Sequence, residues 1–139
     1  MPQTQIEINE QKEALYRRLV NPKLMDELRD KILELMVVKK KYRDRNYTAG
    51  QMAIELGTNS RYLSAVIRVH FHCNYATLVN KYRVEEARAV LTDPRYAELN
   101  VEEVGLMVGF AHRQSFYTAF NLYTGVTPKA YRRQVTGKH

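Results

Sequence analysis

Two stretches of the chain repeat one pattern, in which a short amphipathic helix ends at a glycine and a second helix starts a few residues later. The first stretch comprises residues 52–57 and 59–68, and the second comprises residues 104–109 and 112–121. Glycine lacks a Cβ and adopts left-handed turn conformations that other residues disfavour. Gly57 and Gly109 therefore predict tight turns between helix pairs, which is the plan of a helix-turn-helix.

The two copies form a duplicated module. Gly57 and Gly109 are 52 residues apart, and the offset grows by one between Leu63 and Phe116 because the second turn is one residue longer. Solenoid repeats need three or more units to bury a continuous core, and this chain has two. We therefore expect an all-α protein with two helix-turn-helix subdomains.

The second helix of the first copy separates into an apolar and a polar side. Its apolar side carries Leu63, Val66, Ile67 and His70. The opposite side is small and polar enough to lie against bases and phosphates. That side carries Ser60, Arg61, Ser64, Ala65 and Arg68. Such a helix has the character of a recognition helix, the element that docks in the major groove of DNA.

The second helix of the second copy divides in the same way. Its apolar side carries Phe116, Ala119, Phe120 and Tyr123, and its polar side carries Arg113, Gln114, Tyr117, Thr118 and Asn121. Gly105 in the preceding helix would let the two helices cross closely, and Gly125 suits the left-handed position beyond the helix end. The second copy therefore predicts a second recognition helix.

The remaining patterns organise the chain around these copies. Residues 1–20 are polar and read as a flexible arm, with a short helix around Ala14, Leu15 and Leu19. Asn21 can cap a helix that starts at Pro22. The expected core stripe of that helix is Leu24, Leu28, Ile32, Leu35 and Met36. We expect a domain over 21–133, with helix-turn-helix units at about 48–70 and 101–123, a linker helix at about 75–91, and a tail at 134–139.

Basic residues outnumber acidic ones, with 22 Lys and Arg against 15 Asp and Glu and a formal net charge of +7. This excess favours a polyanion, either nucleic acid or an anionic membrane surface. No apolar run approaches the ~18 residues of a membrane span, and the N-terminus lacks the plan of a signal peptide. The single cysteine, Cys73, excludes an internal disulfide and fits a reducing compartment. We therefore expect a cytoplasmic protein.

Motifs for catalysis and metal binding are absent from the sequence. It contains no P-loop, no dinucleotide-binding fingerprint, no nucleophile elbow and no HExxH. His70, His72 and Cys73 lie close together, but a structural zinc site needs four ligands and no second cluster completes the set. We expect no enzymatic activity, no cofactor and no metal.

A motif with several fixed spacings runs through the second copy and beyond. In chain order it consists of Gly109-Phe110, Ser115-Phe116, Phe120, Gly125-Val126-Thr127-Pro128 and Tyr131-Arg132. This motif resembles the DNA-binding domain of the bacterial AraC/XylS family of transcription regulators. Residues 62–64 and 79–87 are similar to the first recognition helix and the linker helix of the same family. The likeness covers Leu24 to Arg133.

The resemblance implies two homeodomain-like three-helix lobes joined by the linker helix, with recognition helices that enter successive major-groove segments about 34 Å apart. By position, the base-facing candidates are Ser60, Arg61, Ser64 and Ala65 in the first recognition helix, and Arg113, Gln114, Tyr117 and Thr118 in the second. Arg61 and Arg113 can pair with guanine and Gln114 with adenine. Arg68 and the backbone amides at the helix N-termini are candidates for phosphate contacts.

Duplex DNA is the partner that the resemblance implies, and RNA polymerase is a further candidate. Family members usually attach this domain to a sensor or dimerisation domain, and none is visible in these 139 residues. The sequence fits both an excised C-terminal piece and a small stand-alone regulator.

Several positions depart from the residues that the family usually carries. Ala65 and Thr118 stand where an arginine is frequent, and Asn121 stands where a lysine is frequent. His72 replaces the glycine that usually ends the first recognition helix. His112 replaces a serine cap, a change that should cost about 1 kcal/mol of helix stability.

Charge also differs between the two halves. Glu102 and Glu103 oppose Arg113 in the second half, so we expect that half to bind DNA weakly. The first half should dominate the affinity because of its basic residues. These are Lys39, Lys40, Lys41, Arg43, Arg45, Arg61 and Arg68.

Two other functions fit the positive charge. One is non-specific or architectural DNA binding driven by the basic first half alone, which predicts a steep salt dependence and little sequence preference. The other is a helical module that binds an acidic protein partner. Neither explains why two recognition-like faces occur at matched positions.

Overall fold

The computed structural model describes residues 4–11 and 21–137. Within these ranges the chain forms helices and turns and contains no β-strand, so the expected all-α fold is confirmed. Residues 5–11 form a short helix, α1. The helix predicted around Ala14, Leu15 and Leu19 lies outside the described residues. None of the described helices is both long and apolar enough to cross a membrane.

The described residues form two compact units. The first contains the residues before Lys40 together with Thr48–Leu78, and the second contains Lys40–Tyr47 and the residues from Val79 onwards. Helix α5, Tyr75–Leu91, begins in the first unit and ends in the second. A single helix therefore continues from one unit into the other.

Three helices build the first unit around one core. They are α2 (Pro22–Leu33), α3 (Ala49–Glu55) and α4 (Ser60–Phe71), with a π-helical turn at Glu34–Val38. Both α2 and α3 pack against α4. The buried apolar side chains include Met25, Leu28, Ile32, Leu35, Met36, Met52, Ala53, Leu63, Val66 and Ile67. Leu24 is predicted in this core but is exposed, because Met25 lies closer to the centre of the apolar stripe of α2.

Side-chain caps and left-handed residues define the first helix-turn-helix. Thr48 and Gln51 form a reciprocal capping box at the start of α3, in which each backbone N–H donates to the other side chain at 2.9 and 3.1 Å. Gly57 has a φ of +68°, and Asn59 caps α4 by accepting a backbone N–H at 2.9 Å. His72 ends α4 with a φ of +59°, in the left-handed conformation for which the family usually uses glycine.

The second unit is centred on the second recognition helix. Its helices after α5 are α6 (Val101–Met107), α7 (Arg113–Thr124) and α8 (Pro128–Thr136), with single 3-10 turns at Lys41–Arg43 and Pro94–Tyr96. Helix α7 packs against both α6 and α8. Its core includes Val84, Ala87, Leu91, Val104, Val108, Phe110, Phe116, Ala119 and Phe120. Tyr123 is predicted on the buried side of α7 but is exposed.

Phe116 fixes α7 against α6. A Cβ built on Gly105 would lie 2.5 Å from Phe116 Cδ2, so only glycine allows this approach. The rings of Phe110 and Phe120 lie 5.2 and 5.7 Å from the Phe116 ring, centroid to centroid. The predicted close crossing at Gly105 is therefore confirmed.

Two arginines hold loops of the second unit together by donating to backbone carbonyls. Arg132 Nε donates to the Leu91 carbonyl at 2.9 Å, and its Nη1 donates to the Leu99 carbonyl at 2.7 Å. Arg83 Nε donates to the Tyr42 carbonyl at 2.7 Å. Each guanidinium therefore ties a helix to a segment distant in the sequence.

The two turn glycines should respond differently to substitution by alanine. Gly57→Ala should lower the free energy of unfolding by about 1–2 kcal/mol, because its left-handed backbone penalises a Cβ but no atom lies within 4 Å of the new carbon. Gly109→Ala should cost more than about 3 kcal/mol, because its φ is +114° and the Cβ would overlap the Tyr42 carbonyl oxygen. Urea unfolding followed by circular dichroism measures both values. Equal losses would contradict the close approach at Gly109.

Candidate nucleic-acid interface

Helix α4 presents a narrow polar arc on the side opposite the first core. Ser60, Arg61, Ser64 and Arg68 are all exposed. They span about 100° of the helix circumference. Ala65 is only 3% exposed, so its predicted place on the open face is wrong. It lies just beyond the edge of the arc, where a side chain of one carbon is covered by its neighbours.

Helix α7 presents a corresponding arc on the second unit. Arg113, Gln114, Thr118 and Asn121 are exposed, and Tyr117 is half-buried. Phe116 and Phe120 face the core on the opposite side. The predicted division of this helix into a buried and an open side is therefore present in the structure.

Glu102 at the start of α6 holds two of the side chains on this arc. Its Oε1 accepts a hydrogen bond from Arg113 Nε at 3.1 Å and one from the Tyr117 hydroxyl at 3.3 Å. The Arg113 guanidinium also lies 4.6 Å from the Tyr117 ring centroid. The pKa of Glu102 lies below its usual value. The causes are hydrogen bonds from its own backbone amide and from the Tyr117 hydroxyl, together with the positive charge and hydrogen bond of Arg113. The expected opposition between Glu102 and Arg113 is therefore a direct ion pair.

Four of the basic residues predicted for the first unit belong to the second, namely Lys40, Lys41, Arg43 and Arg45. Lys40 Nζ lies 3.1 Å from Glu86 Oε2, and Arg43 donates to the same carboxylate at 2.7 and 2.5 Å. The Glu86 side chain is 10% exposed. These two cations stabilise the second unit internally, so the first unit has less basic surface than the sequence indicated.

Ser115 bonds to the backbone of His112, the unusual residue before α7. The His112 N–H donates to Ser115 Oγ at 3.3 Å, and the Ser115 hydroxyl donates to the His112 carbonyl at 2.8 Å. Ser115 therefore satisfies backbone groups at this helix start, although His112 stands where the family usually has serine.

A groove beside α7 contains basic residues that the sequence reasoning did not assign to DNA. Its volume is about 360 Å³. It is lined by Asn100, Val101, Glu102, Arg113, Tyr117, Lys129, Arg132 and Arg133. Lys129 and Arg133 are four residues apart on α8, a spacing that places both on one face of a helix and is visible in the sequence. A second groove, bordered by Leu91, Pro94 and Val135, is more apolar.

No cluster of three or more histidine, cysteine, aspartate or glutamate side chains that could hold a metal ion occurs within residues 4–11 and 21–137.

Residues 52–134 match the family model described as a helix-turn-helix domain, which covers more than half of the chain. The chain belongs to the AraC/XylS-type helix-turn-helix family. Proteins of this type are DNA-binding transcription regulators, and DNA binding is the function that the family assigns to this domain. The family is not an enzyme family.

Relatives and solved structures agree with this assignment. The chain is 26% identical over 98 residues to the raffinose operon transcriptional regulatory protein RafR of Pediococcus pentosaceus, covering 68% of this chain and 34% of RafR. The C-terminal domain of AraT, a response regulator from Geobacillus stearothermophilus, is similar with a TM-score of 0.65 and 28% identity, covering 80% of this chain and 84% of that chain. The C-terminal domain of the two-component response regulator yesN from Fusobacterium nucleatum gives a TM-score of 0.64 at 29% identity, with 75% and 98% coverage. The chain spans about a third of the length of the curated relatives it matches.

The residues that carry the AraC/XylS-type motif serve the fold. Phe110, Phe116 and Phe120 are core residues, Gly125 ends α7 with a φ of +78°, and Arg132 binds two backbone carbonyls. The exposed residues of α7 lie between these positions. The motif therefore identifies the scaffold and not the polar arc.

Glu86→Gln should destabilise the second unit at neutral pH. Burial raises the pKa of Glu86, but hydrogen bonds from Arg43 and Lys40 outweigh it and hold the pKa below the usual value. A lowered pKa stabilises the folded protein above the unfolded-state value, and the effect is lost as the pH falls through the folded value. The free energy of unfolding of the variant should be about 1–3 kcal/mol lower than that of the wild type at pH 7. The two values should become equal below about pH 4.

The neighbouring Glu85→Gln is the matched control, because Glu85 is exposed and pairs across one turn with Arg88 at 3.0 Å. Urea unfolding of all three proteins between pH 3 and pH 7 measures the effect. A pH-independent loss in Glu86→Gln would show that the carboxylate charge is not what stabilises the unit.

Glu102→Gln should strengthen DNA binding by a few fold, since an exposed ion pair of this kind is worth at most about 1 kcal/mol. The substitution leaves Arg113 available to DNA and removes a negative charge beside it. Glu103→Gln changes the same charge one residue away and controls for general repulsion. Fluorescence anisotropy with duplex DNA gives the affinities. In an Arg113→Ala background, Glu102→Gln should raise the DNA affinity no more than Glu103→Gln does. If Glu102→Gln still gave the larger increase, Glu102 and DNA would not be competing for Arg113.

Proposed function

We propose that this chain is the DNA-binding part of a bacterial transcription regulator that reads one duplex site with α4 and α7. The observation that carries the proposal is the pair of exposed polar arcs, each on the second helix of a helix-turn-helix and each backed by a buried core. A recognition helix needs this division, because its apolar side holds it on the scaffold while its polar side contacts base edges.

The side chains on the two arcs have the chemistry for base and phosphate contacts. Arg61 and Arg113 can donate two hydrogen bonds to guanine, and Gln114 can exchange two with adenine. Arg68, at the far end of the first arc, suits a backbone phosphate. The remaining side chains that can contact bases or phosphates are Ser60, Ser64, Tyr117 and Thr118. Ala65 is not part of the proposed contact set, because it is buried.

Several finer properties follow from the same proposal. The relatives include a protein named as the regulator of a raffinose operon, and we extend control of transcription, but not the sugar, to this chain. Binding to a promoter would bring the protein close to RNA polymerase, which we propose as a second partner. Such a regulator acts in the cytoplasm.

Selection of bound sequences from a random duplex library at near-physiological salt tests the proposal. Two short enriched blocks, centred about one helical turn apart, are expected if both recognition helices read bases. A single block would restrict base reading to one helix. Binding that enriches no sequence and disappears as salt rises would overturn the proposal in favour of non-specific binding.

Arg61→Ala should relax the preference at one base position of the selected site. Loss of a bidentate pairing with guanine should reduce discrimination at that position by about 1–3 kcal/mol. Arg29→Ala, on the surface of α2, removes the same charge outside both recognition helices and serves as the control. Competition binding with matched and singly mismatched duplexes measures the discrimination. Equal weakening on both duplexes would exclude a base-reading role for Arg61.

A further inference from the structure

The geometry points to a phosphate-binding site in the groove between α7 and α8, and we propose that it holds the DNA backbone beside the second recognition helix. The inference rests on the proposed function, because it requires α7 to lie in the major groove. It adds Lys129 and Arg133 of α8 to the residues that contact DNA. The ligand class is a phosphodiester, bound without regard to base sequence.

The charge of the lining residues selects an anion. Arg113, Lys129, Arg132 and Arg133 contribute four positive charges, against the single carboxylate of Glu102. Lys129 and Arg133 are exposed and lie one helical turn apart, so both side chains can reach one phosphate group or two adjacent ones. An excess of three positive charges in an open groove of about 360 Å³ favours a multiply oxygenated anion over an apolar ligand.

Arg132 gives the groove a rigid base. Its Nε and Nη1 are held by the Leu91 and Leu99 carbonyls, so its positive charge is fixed at one place in the wall. Its Nη2 is buried and makes no hydrogen bond within the described residues. Carbonyl partners leave the guanidinium charge uncompensated, in contrast to Arg113, which has a carboxylate partner in Glu102. The fixed charge therefore adds to the field that Lys129 and Arg133 present.

The position of the groove identifies the source of the phosphate. Arg113 and Tyr117 line it and also belong to the polar arc of α7. An α-helix with its side chains is about 10–12 Å wide, close to the width of the major groove, so residues flanking a docked recognition helix meet the phosphates at the groove walls. Lys129 and Arg133 line the groove beside α7 and are therefore residues of this flanking kind. The DNA strand is thus the phosphate source nearest to these side chains.

The test compares Lys129→Gln, Arg133→Gln and the double variant with two controls that change the same charges outside the groove, Lys81→Gln and Arg95→Gln. Each groove substitution should weaken binding about three- to tenfold, equally on the selected duplex and on a mismatched one. The slope of log affinity against log salt should fall by about 0.9 for each phosphate that the variant no longer neutralises. The controls should change neither quantity. Circular dichroism confirms that the variants are folded, which is expected because Lys129 and Arg133 are exposed.

A second measurement locates the bound phosphate on the DNA. Ethylating single phosphates next to the sequence block read by α7 should weaken binding by the wild type and should no longer matter to the double variant. Unchanged salt slopes in the groove variants, with sequence-selective binding by the wild type, would overturn the groove site and leave the proposed function intact. Loss of sequence selectivity in the wild type itself would overturn the proposed function instead. Nuclear magnetic resonance with inorganic phosphate provides a third outcome. If phosphate shifts the resonances of the groove residues while all three groove variants bind DNA normally, the site binds a free anion and not the DNA backbone.

Discussion

The packing of Phe116 on Gly105 sets the position of α7, and through it every exposed residue of the second recognition helix. A helix can approach this closely only where the facing residue has no side chain, and a Cβ at Gly105 would lie 2.5 Å from the ring. The first unit solves the same problem with different volumes. Ala53 occupies the position equivalent to Gly105, and the smaller Leu63 occupies the position equivalent to Phe116. The larger Phe116 is matched by the smaller Gly105, and the smaller Leu63 by the larger Ala53, as expected when two copies of one module diverge in sequence but keep similar packing.

Local patterns made most of the fold predictable. The cap at Asn21 and the bounds of α5 follow from short-range chemistry, so the sequence alone predicts them. Errors arose where helical phase had to be judged to within one residue. Leu24 and Ala65 both lie at the edge of an apolar stripe, where a change of 100° in direction separates the core from solvent.

The interface was less predictable than the fold because long-range partners decide which charges face outward. Glu86 binds Lys40 and Arg43 from 46 and 43 residues away, and no periodicity in the sequence reveals that pairing. Glu102 and Arg113 lie only 11 residues apart, on successive helices of one helix-turn-helix, so their opposition could be anticipated. The basic groove formed with α8 depends on tertiary packing and was missed, although the four-residue spacing of Lys129 and Arg133 was visible.

The formal charge of +7 therefore overstates what the protein can offer to DNA. Arg83 and Arg132 are committed to backbone carbonyls, and Lys40 and Arg43 to a carboxylate. Charges used in this way still contribute to the field that attracts DNA, including the charge of Arg132 in the groove wall, but they do not read individual bases. Under the proposed function, sequence discrimination comes from the few exposed donors on α4 and α7. Because a small set of side chains carries the discrimination, substituting one residue on either arc can change the preferred site while the buried motif, and hence the fold, stays the same.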